Sequence, residues 1–144
     1  MTKEQRRQFA AKEYFDFNDL QTVMKELRAK DGCPWDSVQT HESIKNCLKD
    51  ECEEVIQAID NKDMENLKEE LGDLLFQVIM HSEIASEEGD FDINDVVDGI
   101  CKKMIFRHPR VFGDTEHENT SWAELKRLEK LKNNRNGKHN SHDE

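Results

Sequence analysis

Seven carboxylates crowd into two short stretches of this 144-residue chain: Asp50, Glu51, Glu53 and Glu54 in one, Glu69, Glu70 and Asp73 in the other. Residues three apart share a helix face, so Glu51 pairs with Glu54 and Glu70 with Asp73. The two pairs are centred equally far from Lys62, inside Asp60-Asn61-Lys62-Asp63, which reads as a tight turn. In an antiparallel hairpin they stand level, each about 14 Å from the turn at the helical rise per residue. Packed helix axes lie about 8–10 Å apart, a gap that facing Glu and Asp side chains close around an ion. Four gathered carboxylates repel one another unless a cation or shared protons compensate. Oxygen-only ligands favour a hard ion, Mg²⁺ first and Mn²⁺ next, which would receive phosphate oxygens and orient or activate a water. For any single Glu in so acidic a chain, a solvated helix face is the plainer reading. For the four together Leu48, Val55, Leu71 and Leu74, set beside them on both helices, favour the metal site.

The elements that position these acids follow from apolar spacing. Phe17, Leu20, Val23, Met24 and Leu27 recur at helical intervals up to about Lys30, where Asp31-Gly32-Cys33-Pro34-Trp35-Asp36 breaks the pattern as a structured loop. Thr40 is a good N-cap for a helix carrying Ile44, Leu48, Val55, Ile56 and Ile59. After the turn, Leu67, Leu71, Leu74, Leu75 and Val78 form the expected buried stripe of a helix ending near Gly89. Asp92 could cap the next, with Ile93, Val96, Val97, Ile100 and Met104, closed by Pro109 and Gly113. A shorter helix runs from about Ser121 to Leu131. The expected fold is all-α: an antiparallel four-helix-type bundle over 16–132, preceded by a polar arm (1–15) and followed by a disordered polar tail (133–144).

Composition narrows the functional classes. The net charge of -11 repels phosphate backbones, so a nucleic-acid polymer is not the expected partner. A triphosphate substrate survives that argument only if cations bridge it to carboxylates. No stretch approaches membrane-spanning length. Cys33, Cys47, Cys52 and Cys101 form no C-x-x-C pair, and no signal-peptide hydrophobic region opens the chain, which points to thiols in a reducing cytoplasm.

From Phe17 to Lys130 the chain resembles the MazG family of nucleotide pyrophosphohydrolases. The core motif stands here as Asp50-Glu51-Cys52-Glu53-Glu54 and Glu70-Leu71-Gly72-Asp73. Gly32-Cys33-Pro34-Trp35-Asp36, Gln39-Thr40-His41, the run Glu70 to Val78 and Arg107-His108-Pro109-Arg110-Val111-Phe112-Gly113-Asp114 are further matches. The resemblance implies an all-α fold binding Mg²⁺ through Glu51, Glu54, Glu70 and Asp73, and hydrolysis of nucleoside triphosphates to monophosphate and pyrophosphate. Metal-bound water assisted by Glu51 or Glu54 is the working catalytic assignment. Two departures stand out: Asp50 replaces the motif's first Glu, and Arg110 stands where the family often has His. Family members with two domains in tandem suggest that a homodimer, or a higher homo-oligomer, completes this single-domain chain.

The rest of the substrate needs cationic and aromatic contacts. Lys103 and Arg107, four apart on one helix face, resemble the family's nucleotide-binding Lys and Arg, though either alone is as readily a surface charge balancing local acids. Lys68 is a weaker third candidate. Trp122 matches an aromatic near the family's nucleotide and is equally readable as core; Trp35 either lines the pocket or plugs its loop. His81 falls on the Leu67-Leu71-Leu74 stripe and reads as a satisfied buried histidine. Two other functions stay open: a relative of narrow specificity (a dUTP, dCTP or phosphoribosyl-ATP pyrophosphohydrolase), and a non-catalytic metal-binding helical module that docks a partner.

Overall fold

The structure, a computed structural model, describes residues 1–139, with side chains as far as 136. Every regular element among them is helical: α1 (Lys3–Ala10), α2 (Phe17–Arg28), α3 (His41–Asp60), α4 (Met64–Glu87), α5 (Ile93–Arg107), α6 (Pro109–Phe112) and α7 (Trp122–His139), with a 3₁₀ turn at Asp36–Val38. The all-α expectation holds. The chain forms two compact units, Met1–Ile93 and Asn94 onward.

In the first unit short polar side chains start the helices. Thr2, Asp16 and Thr40 cap α1, α2 and α3 in reciprocal capping boxes with Gln5, Asp19 and Ser43, and Asp63 caps α4. These oxygens satisfy amide groups that the first helical turn leaves unpaired. The turn between α3 and α4 closes through Asp63 N–H to Ala58 O (3.1 Å) and Lys62 N–H to Ile59 O (3.1 Å), with Lys62 at φ 52°. So short a link forces the two helices antiparallel and adjacent.

The core gathers Met24, Ile44, Ile79, Met80 and Ile84, with Leu20, Phe76 and Ile93 packed against it. It lies at the end of the α3–α4 hairpin away from the turn, because α2 covers α4 there. The Leu67–Val78 stripe is therefore not the buried face expected of it: Leu71 is 48% exposed, and Leu75 and Val78 are also open. The periodicity marked an apolar face correctly, but no element of this unit covers its first half. Ile56, Ile59 and Met64 are exposed as well.

The polar arm expected over 1–15 is ordered onto α2. Arg6 donates from Nε to Glu26 (2.7 Å) and from Nη2 to Asp31 (2.9 Å), and the terminal amino group reaches Glu26 at 3.3 Å. Arg28, almost fully enclosed, pairs with Glu87 and donates to the carbonyls of Asp36 (2.7 Å) and Gln39 (3.1 Å), fastening the loop ahead of α3.

In the second unit Pro109 opens α6 at a position where its missing N–H costs nothing, and Gly113 ends it at φ +76°. Leu125 of α7 is buried. The tail expected from 133 differs: α7 continues through 133–139, and 140–144 lie outside the described residues. Lys, Arg and Asn are tolerated in an exposed helix, and Asn133 donates to Glu129 one turn back (3.4 Å).

Gly32 offers a sharp test of the loop geometry. A Cβ there would sit 2.2 Å from Glu26 O, 2.6 Å from Leu27 O and 2.9 Å from Ala29 O, all main-chain atoms. Gly32→Ala should cost about 3 kcal/mol, at the upper end of overpacking substitutions, read as a lower urea midpoint. A change under about 0.5 kcal/mol, the level of a neutral surface substitution, would disprove this packing.

Candidate metal centre on the helical hairpin

Glu51 and Glu54 sit on α3, Glu70 and Asp73 on α4, and each offers an oxygen within 4.8 Å of the others. The hairpin thus brings together the four acids whose spacing about Lys62 predicted it. Glu51 and Glu70 are half-buried, while Glu54 and Asp73 are exposed. Glu51 Oε2 and Glu70 Oε2 are shielded from solvent and have no hydrogen-bond partner among the described residues. A buried carboxylate oxygen without a donor is costly, and the cluster holds two.

The electrostatics follow from that crowding. The hydrogen bond with Glu54, helped by burial and by repulsion from Glu54, Asp73 and Glu51, pushes Glu70 up to about 7. Burial first, then the charges of Glu54 and Asp73, also raises Glu51. Without a counter-ion these acids retain protons to coexist. Two orphaned oxygens, an all-oxygen donor set and suppressed ionisation together fit a hard divalent cation.

A second group, Asp114, Glu116 and His117, also lies within 4.8 Å. It differs in being internally satisfied, with His117 Nδ1 2.8 Å from Asp114 Oδ2. No helical spacing announces it, since it forms in the loop before α7.

The remaining candidates fare differently. Lys68 pairs with Glu65 at 3.1 Å on an exposed stretch of α4, and two residues of helical rotation carry it off the Glu70–Asp73 face. Trp35 is 57% exposed, so it does not plug its loop. In the second unit Arg107 is 9% exposed and donates from Nε (2.8 Å) and Nη2 to Glu129. Its guanidinium lies 5.4 Å from the Trp122 ring, whose other neighbour is the edge of His108 at 5.5 Å. Trp122, 48% exposed, is not a core residue. It lines a cavity of about 410 Å³ with Arg107, Arg110, Asn119, Thr120 and Leu125. Lys103 lies over a different cavity of about 450 Å³, with Phe106, Glu129 and Lys132. Lys103 and Arg107 thus line different cavities of this unit. The hydrogen bond from Arg107 holds Glu129 below the ordinary carboxylate range, with Lys103 adding to it. His81 is not the satisfied histidine expected: Nδ1 faces His41, whereas Nε2 is buried without a partner.

Residues 39–112, just over half of the chain, match the family model of the MazG nucleotide pyrophosphohydrolase domain. The chain belongs to the MazG family. It is 48% identical over 117 residues to the nucleoside triphosphate pyrophosphohydrolase/pyrophosphatase MazG of Thermotoga maritima, covering 81% of this chain and 46% of that protein. To the nucleoside triphosphate pyrophosphohydrolase of Escherichia coli K12 it is 44% identical over 117 residues, covering 77% and 44%. A crystal structure of a mazG-related protein from Thermotoga maritima matches with a TM-score of 0.60 at 28% identity, over 75% of this chain and 96% of that one. This MazG chain spans less than half the length of the two curated relatives. No helix among its described residues is long and apolar enough to cross a membrane.

The raised Glu70 makes a signed prediction for the protein without added metal. Its stabilising proton is fully bound below the ordinary value of 4.5 and is lost as pH rises through about 7. The thermal midpoint should therefore fall from about pH 5 to about pH 8, and added Mg²⁺ or Mn²⁺ should restore it most at the alkaline end. Replacing Glu70 by Gln should flatten the profile; an unchanged slope in that variant would remove the cluster as its cause.

Proposed function

We propose that this MazG chain hydrolyses nucleoside triphosphates to nucleoside monophosphates and pyrophosphate, at a site where Glu51, Glu54, Glu70 and Asp73 hold Mg²⁺ or, less selectively, Mn²⁺. The observation that carries the reading is the meeting of these four carboxylates across the hairpin, two of them with buried, partnerless oxygens. Both relatives are nucleoside triphosphate pyrophosphohydrolases by name, which supports the same chemistry.

When bound, the cation would offset charge on the phosphates and make a bound water more acidic. The protein's share is positioning and proton handling. Glu51 is the proposed acceptor of the water proton, with Glu54 beside it. The water oxygen bonds to the α-phosphorus as the bond to the bridging oxygen breaks, and pyrophosphate leaves. The proposed nucleotide contacts are Lys103, Arg107, Trp122, Trp35 and Lys68. Among them the half-open Trp122 ring suits a base, and Lys103 is better placed than the Glu129-bound Arg107 to yield its charge to phosphate.

The exposed apolar residues Ile56, Ile59, Leu71, Leu75 and Val78 on the hairpin support a homodimer or higher homo-oligomer. Four free thiols suit a reducing cytoplasm.

The deciding assay incubates the protein with each NTP and dNTP and Mg²⁺, separating mono- from diphosphate products. Monophosphate and pyrophosphate should appear, with Glu54→Gln and Asp73→Asn slower by about 100-fold or more, a barrier increase of about 2.7 kcal/mol. Diphosphate and orthophosphate would overturn attack at the α-phosphorus. Absence of turnover by folded, metal-loaded protein would favour the non-catalytic module. Sedimentation velocity should give at least twice the chain mass of 16.9 kDa, and Leu75→Lys should return it to one chain.

A further inference from the structure

His41 opens α3 and His81 lies on α4, at the end of the hairpin away from the Asn61–Asp63 turn. Their rings lie almost parallel, 3° apart with centroids 5.1 Å from each other, and meet edge to edge, the two Nδ1 atoms approaching to 2.8 Å. Imidazole nitrogens at that separation are held by one proton, one ring donating Nδ1–H and the other accepting on its lone pair. Such a bridge counts charge. The pair can be neutral, or carry one positive charge, because the charged ring still meets an open lone pair. A second positive charge puts N–H on both Nδ1 atoms, and the attraction becomes a repulsion.

The surroundings set where each charge can go. Glu88, just past α4, brings Oε2 within 4.0 Å of His41 Nε2, so His41 has an acidic neighbour on its outer side. His81 Nε2 is buried and has no partner among the described residues to receive a second charge. From α2, Arg28 donates to the carbonyl of Gln39, two residues before His41, and its charge is met by Glu87. Glu83 senses Lys25, Glu87 and Arg28 along the α2–α4 seam, and on α3 Glu42 is occupied by Lys45 at 3.1 Å.

We propose that His41 and His81 form a one-proton clasp that ties the first turn of α3 to α4 and opens when the pair takes a second positive charge. The hairpin is then closed covalently at the Asn61–Asp63 turn and by this clasp at its other end, with the four carboxylates between. The device needs no nucleotide chemistry and would operate in a non-catalytic protein. Burial, with the charge of His41 second, lowers the His81 pKa below the ordinary 6.5. Its contribution to stability is therefore complete above that value and is lost as pH falls through the folded pKa.

Imidazole NMR of the full chain, combined with amide hydrogen exchange of residues 43–46, tests the clasp. A strongly deshielded proton shared by the two Nδ1 atoms should disappear on acidification. Below the His81 midpoint, protection of those amides, corrected for intrinsic exchange, should drop about tenfold per pH unit. His81→Gln keeps an acceptor for His41 Nδ1–H but cannot titrate, so its protection should persist without that pH dependence. His81→Phe should lose the protection at every pH. The carboxylate cluster is common to wild type and His81→Gln, so its own titration cancels in the comparison. The same pH profile in both proteins would overturn the clasp. So would wild-type spectra in which both rings titrate independently near 6.5 with no shared proton, a measurement that needs no variant to fold.

Discussion

Four acidic side chains held within 4.8 Å of one another set the terms for the first unit of this protein. Left to itself such a group drives its two helices apart, so the register of α3 against α4 must be maintained by everything else. The turn contributes through Ala58, fully buried, and through the hydrogen bonds that Asp63 and Lys62 return to α3. Beyond the acids, Ile44, Ile79, Met80 and Ile84 supply the apolar attraction, at about 1.5–3 kcal/mol for each large side chain fully buried. Protonation absorbs part of the repulsion: the hydrogen bond with Glu54, then burial and the neighbouring charges, raise Glu70 above an ordinary carboxylate.

The same hairpin explains the burial pattern. A helix pair that must present acids on one side cannot surround them with core, so apolar packing concentrates where α2 lies. Arg28 and the Arg6 contacts to Glu26 and Asp31 then lock α1, α2 and the loop ahead of α3 into that end. What remains is an exposed apolar surface from Ile56 to Val78. The hairpin that bears the acids also leaves neighbouring leucines open.

Much of the site was legible in the residues. Glu51, Glu54, Glu70 and Asp73 are separated by local helical intervals and arranged symmetrically about a recognisable turn. One period and one reflection place them together without knowledge of the rest of the fold. The helix starts at Thr2, Asp16, Thr40 and Asp63 are local in the same way, since each cap contacts an amide within three residues. Family motifs added the chemistry. Burial was less legible: periodicity identifies an apolar face, but whether Leu71 is covered depends on where α2 ends, which no repeat in α4 encodes.

The sequence by itself therefore determined the helices, their caps, the antiparallel α3–α4 pair and the level meeting of the four acids, all consequences of short-range geometry. Tertiary structure decided which partners distant polar groups would take. His41 and His81, 40 positions apart, meet only because the whole hairpin is in register. Arg107 takes Glu129, 22 positions away, as its partner. Hydrogen bonding and ion pairing are decided within a few ångströms, whereas the side chains that arrive within that distance are chosen by the packing of entire helices.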